Sequence, residues 1–155
     1  MARHLCTWIA FLSLAAAPAH ALEPKTMHAA GTFDVKLSPQ PPAPGIEAAG
    51  LGRMTLDKQF HGELEGHSLG EMLAVQTGVE GSAGYVALER VTGTLGGRRG
   101  SFALQHSGTM ERGTASLTVT VVPDSGTGEL RGLSGAMTIR IEQGRHYYAF
   151  DYRLP

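Results

Sequence analysis

Residues 84–122 read GYVALERVTGTLGGRRGSFALQHSGTMERGTASLTVTVV. Three runs rich in β-branched and apolar residues are separated by two glycine-containing turns, and apolar and polar positions alternate within each run. A period of two, punctuated by such turns, predicts a three-stranded antiparallel meander with one buried face. The same pattern recurs on either side. Residues 31–37 put Phe33, Val35 and Leu37 on one face. Residues 53–64 put Met54, Leu56, Phe60 and Leu64 on one face and Arg53, Thr55, Asp57, Gln59, His61 and Glu63 on the other. Near the C-terminus, Met137, Ile139 and Ile141 mark one strand, and Tyr148, Phe150, Tyr152 and Leu154 the last.

The breaks are equally informative. Residues 38–50 hold four prolines and predict a long loop, because proline cannot donate to a ladder. Gly66 and Gly70 interrupt the next run, and the apolar phase has moved by one at Leu73 and Val75. A glycine-marked bulge accounts for that shift. Residues 123–128 (PDSGTG) are a further loop. About eight strands and no sustained helical period define an all-β chain. A sheet of that size with one apolar face must close or fold over to bury it. A closed antiparallel up-and-down barrel over residues 31–155 is the simplest solution, with a β-sandwich as the alternative.

Within the meander the turns suggest a register. Setting Gly93 opposite Phe102 pairs Val91 with Leu104 and Glu89 with His106, keeping apolar with apolar. The turn at Arg112-Gly113 pairs Met110 with Ala115 and His106 with Val119. Tyr85, Glu89 and His106 then share the inner face with Val91, Phe102, Leu104, Leu117, Val119 and Val121. A carboxylate and an imidazole side by side on an apolar wall are expected to bond, since either alone is costly there.

The N-terminus follows different rules. A short basic head, an apolar run over residues 5–17 and Ala19-His20-Ala21 make a secretory signal peptide, residues 1–21, too short for a membrane span. Removing 21 of 155 residues leaves a 134-residue chain, with residues 22–30 as a flexible leader. The expected location is periplasmic or extracellular, with no membrane insertion after cleavage. Cys6 and Trp8, the single cysteine and tryptophan, leave with the signal, so disulfides and cysteine chemistry are excluded from the mature chain. Arg3 also leaves, so 12 Lys+Arg stand against 14 Asp+Glu without a basic block, which argues against nucleic acid as a partner.

Tyr85, Glu89 and His106 are the candidate catalytic or ligand-binding residues: a base with its orienter, an anchor for a ligand, or a polar brace of the interior. His61, Glu63, Glu65 and His67 have zinc-competent chemistry but occupy the polar face, so no metal and no cofactor is expected. Ser101 and Ser107 point outward, which leaves a hydrolase triad unsupported. Arg98 and Arg99 read as a solubilising hairpin tip. Tyr147 points away from the core and marks a candidate contact for a homo-oligomer.

The runs ALERVTGTLGGRRGSFALQHSGTM and VVPDSGTGELRGLSG resemble the bacterial family called domain of unknown function 3224, over residues 31–154. The resemblance implies an eight-stranded barrel similar to that of allene oxide cyclases. It brings no activity, and no cyclase motif maps onto these residues. Three functions remain in view: a barrel binding a small apolar ligand inside, an isomerase or cyclase using the Glu–His pair, and a structural or interaction protein of the envelope with a filled barrel. Interior volume separates them.

Overall fold

The computed structural model describes residues 25–155. The expected signal peptide, with its expected cleavage between Ala21 and Leu22, lies outside these residues. Eight antiparallel strands close into one up-and-down barrel: β1 (Met27–Gln40), β2 (Gly52–Gly62), β3 (Leu64–Gln76), β4 (Ala83–Leu95), β5 (Arg98–Glu111), β6 (Thr114–Val121), β7 (Ser134–Glu142) and β8 (Arg145–Arg153). β1 meets β8 to close the circle, where a sandwich would keep two separate sheets.

Four expectations need correction. Strand β1 starts at Met27, so residues 27–30 are wall and not leader. Ala29 lies opposite Phe150 and is buried, because that small side chain leaves room for the aromatic ring. β1 also continues through Ser38, Pro39 and Gln40. Beyond Phe33 it pairs only with β2, and a one-sided stretch tolerates the missing proline N–H.

The supposed bulge at Gly66 is a reversal at Gly62-Glu63 that splits one expected strand into β2 and β3. Phe60 and Leu64 both point inward across it, so the alternation runs through the turn unbroken. Leu73 and Val75 consequently face outward and are exposed.

Last, the β4–β5 register differs by two residues from the expected one. Val91 pairs with Phe102, Glu89 with Leu104 and Ala87 with His106. Gly96 and Gly97, both at positive φ, make a two-residue turn that sets Leu95 opposite Arg98. A shift of two keeps every side chain on its face, so Glu89 and His106 remain inside, as diagonal neighbours. The β5–β6 pairs Met110–Ala115 and His106–Val119 stand as expected.

The interior is packed unequally. One end is filled by Phe60, Leu64, Leu95, Phe102, Phe150 and Tyr152. The connection from β6 to β7, with its 3-10 turn at Gly128–Leu130, extends the wall there. Val122 and Thr127 donate backbone bonds to Ala103 and Ser101 of β5, and Leu130 and Leu133 are buried beneath. The other end is open. β6 and β7 are joined by a single bridging pair, Thr120 with Ala136, near the closed end, and run on toward the open end without pairing.

Candidate functional site

At the open end the barrel forms a cup of about 350 Å³. Its walls come from Phe33, Val35, Leu56, Met72, Ala87 and Ile139, with Leu37, Leu117 and Ile141 at the rim. Its floor is polar. Lys58, Ser68, Glu89 and His106 are the buried polar or charged side chains among the described residues. All four belong to one hydrogen-bonded cluster.

Glu89 is the hub. Oε1 accepts from Lys58 Nζ at 2.7 Å and from His106 Nε2 at 2.8 Å, while Oε2 accepts from the Ser68 hydroxyl at 2.6 Å. Four strands supply these groups: β2 brings Lys58, β3 Ser68, β4 Glu89 and β5 His106. Gly70 makes the approach feasible. It faces Glu89 across the β3–β4 ladder, and a Cβ there would stand 2.7 Å from the Glu89 Cβ.

Burial alone would raise the Glu89 carboxyl. The His106 bond, the Lys58 charge and hydrogen bond, and the Ser68 bond outweigh burial and hold it down at about 2, from 4.5. It is therefore a carboxylate at neutral pH, with both oxygens occupied. Lys58 also lies 5.0 Å from the centre of the Phe33 ring and 5.9 Å from that of Phe60, so the aromatic floor shares in holding its charge. Lys58 and His106 line the cup.

Tyr85 lines the same cup, half-buried. Burial, and then the Glu89 charge, push its phenol upward, so it stays protonated. His146 stands at the rim, stacked on Phe33 with centroids 4.9 Å apart.

The structure thus brings together the three sequence candidates, Tyr85, Glu89 and His106. Lys58 and Ser68 were missed. The signal for both was present: Lys58 has the parity of Leu56 and Phe60, and Ser68 that of Leu64.

The acidic and imidazole run is dispersed over the outer surface. His61 faces Asp34 at 3.4 Å and Glu65 at 3.6 Å, and His67 bonds Asp57 at 2.8 Å. Glu63 sits in the turn, where its carboxylate accepts from Ala30 N–H. Ser101 bonds Thr127 outside the barrel, and Ser107 is exposed. Arg99 lies at its hairpin tip with its backbone N–H on Glu129. Tyr147 carries the Arg140 guanidinium 4.8 Å above its ring. A separate apolar patch on the outer wall contains Leu73, Val86 and Leu88.

No curated protein matches this chain. Among solved structures, a crystal structure of a protein of unknown function from the DUF3224 family of Shewanella oneidensis MR-1 is 53% identical. The match covers 84% of this chain and 99% of that one, with a TM-score of 0.78. The family described as Protein of unknown function (DUF3224) matches residues 29–152, and the chain, with its closed barrel, belongs to it.

Proposed function

We propose that the cup binds a small, largely apolar molecule that carries one hydrogen-bond acceptor, which points at Lys58. The observation that carries this reading is the placement of a buried charged cluster on the floor of an open apolar cavity. Such a cluster is a poor device for stability alone. Removing charges from water costs several kcal/mol per ion, and apolar side chains of similar volume often serve a core as well or better. A volume of about 350 Å³ falls in the range of ligand cavities, roughly 300–1,000 Å³. A barrel filled throughout, as an envelope scaffold would have, fits the closed end only.

The basic head and apolar run before residue 22 support export to the periplasm or beyond. An exported chain whose intact mass begins at Leu22 is the expected outcome, and one that retains residues 1–21 would refute it.

For the cup, freshly purified protein is examined by native mass spectrometry and titrated with anilinonaphthalene sulfonate, an apolar anionic dye. The wild type should carry a co-purified small molecule or bind the dye in a one-to-one complex. Ala87→Phe, which fills the cup from its wall, should do neither while retaining a β-type circular dichroism spectrum. A wild type that is empty and does not bind dye would sink the reading.

A further inference from the structure

The geometry at the floor goes further than binding. Glu89 is an acceptor-only carboxylate, so the His106 nitrogen facing it, Nε2, must carry the hydrogen. In the neutral ring the other nitrogen, Nδ1, is then a bare lone pair. Among the described residues Nδ1 has no protein hydrogen-bond partner. No side-chain nitrogen among them is both sealed off and unpartnered, so Nδ1 is not walled in. The ring lines the cup. Lys58 donates to the same Glu89 oxygen. Its ammonium has three N–H donors, one of which that bond uses. A base and a cation therefore stand side by side at the bottom of an apolar cavity, ordered by one carboxylate.

We propose that the cup is an enolisation site: His106 Nδ1 removes a proton from the carbon next to a ligand carbonyl whose oxygen accepts from Lys58 Nζ. The proposal rests on the ligand-binding reading above. The C–H pair becomes the new carbon–carbon π bond, and the carbonyl π pair moves to oxygen as an enolate held by the ammonium. The proton rests on Nδ1, and Glu89 stabilises the resulting imidazolium. Nδ1 then gives back a proton, the one it took or one it has exchanged with solvent, to the original carbon, or to the γ-carbon when the substrate is a β,γ-unsaturated ketone, which shifts the double bond. Nothing is oxidised or reduced and no co-reactant is consumed. Substrates are thus apolar ketones with an acidic α-carbon. His106 and Lys58 are the catalytic residues, and Glu89 is a positioning residue that acts through His106.

The test uses β-tetralone, an apolar ketone small enough for the cup, with the mature protein in deuterium oxide. Binding is read from ligand line-broadening, and loss of the C1 protons from the one-dimensional NMR spectrum. The wild type should accelerate exchange over buffer. His106→Gln should lower that acceleration by roughly 10²–10⁴-fold, the usual worth of a positioned acid–base group. Lys58→Met should lower it with less change in affinity, and Glu89→Gln should lower it by at least tenfold while β-tetralone still binds.

Nitrogen-15 NMR of the wild-type imidazole does not depend on any variant folding. It should show hydrogen on Nε2 and none on Nδ1, and Glu89→Gln should disturb that assignment. Bound β-tetralone without accelerated exchange, or a His106 ring with hydrogen on Nδ1, overturns the enolisation proposal and leaves the cup as a binding site. A wild type that binds the dye but not β-tetralone overturns the enolisation proposal alone, and one that is empty and binds neither removes both readings.

Discussion

The two ends of the barrel are built from the same alternating strands and have opposite interiors. At the closed end, Phe102 stacks on Phe150 at 5.9 Å, Phe150 tilts against Tyr152 at 5.3 Å, and Phe60 is buried with them. Four rings and the leucines around them fill the bore. At the open end the inward positions include Val35, Leu56, Ala87, Leu117 and Ile139 beside Phe33, Met72 and Tyr85, and they leave a cavity between them. The connections reinforce the contrast. The long β6–β7 segment walls the closed end with Leu130 and Leu133. At the open end β5–β6 and β7–β8 are joined by the tight turns at Arg112-Gly113 and Gln143-Gly144. Strand count sets the diameter of a barrel, but side-chain volume decides whether it is core or container.

The largest effects should come from the closed end. Phe102→Ala removes a ring that is 1% exposed and sealed by neighbours that cannot collapse onto the gap. It should cost about 3–5 kcal/mol in chemical denaturation. A loss under about 1 kcal/mol would mean that the closed end is looser than its packing implies, and the contrast between the ends would fail.

The polar floor is the boundary between the two regions. Lys58→Met should destabilise by about 3–4 kcal/mol, because Glu89 keeps Ser68 and His106 but loses its countercharge in an apolar setting. Lys58→Met with Glu89→Gln should recover part of that loss, since no uncompensated charge then remains. A double variant no better than the sum of its singles would show that the pair is not coupled.

The same carboxylate makes stability depend on pH. Its folded value lies below its unfolded one, so the stabilisation is full above about 4.5 and is lost as pH falls toward about 2. The loss should amount to about 3 kcal/mol over that window. Glu89→Gln should remove this portion of the acid limb, and an unchanged slope in that variant would contradict the lowered value.

Much of this was legible in the sequence, for a definite reason. Period-two alternation reports which face a side chain takes, and it survives errors of register that are even. That is why Glu89 and His106 were placed together inside although their strands pair two residues away from the expected register. The closed barrel followed from the strand count. Three things were not legible. The turn at Gly62-Glu63 leaves the alternation intact on both sides, so pattern alone cannot see it. Lys58 is a charged residue at an inward position, and polarity pulled it out of the inner set that its parity assigned. The cup itself depends on how far opposing side chains reach across the bore, a property of all the strands at once and of none singly.

The smallest stability effect should accompany a clear functional one. Ile141 points into the mouth of the cup yet is 63% exposed, and Leu117 on the neighbouring strand is 40% exposed. Ile141 leaves most of its potential contacts unmade in the folded chain, so Ile141→Ser should change stability by no more than about 0.5 kcal/mol. A ligand seated in the cup would complete those contacts. Losing them should weaken dye binding by roughly tenfold, the equivalent of about 1.4 kcal/mol of apolar contact. Titrating Ile141→Ser and Phe102→Ala side by side then separates the two ends. The closed-end variant should lose stability while its affinity, measured well below its melting temperature, stays near that of the wild type. The rim variant should lose affinity with its stability intact. If Ile141→Ser binds the dye as tightly as the wild type, the ligand does not reach the rim, and the functional part of the cup shrinks to its floor.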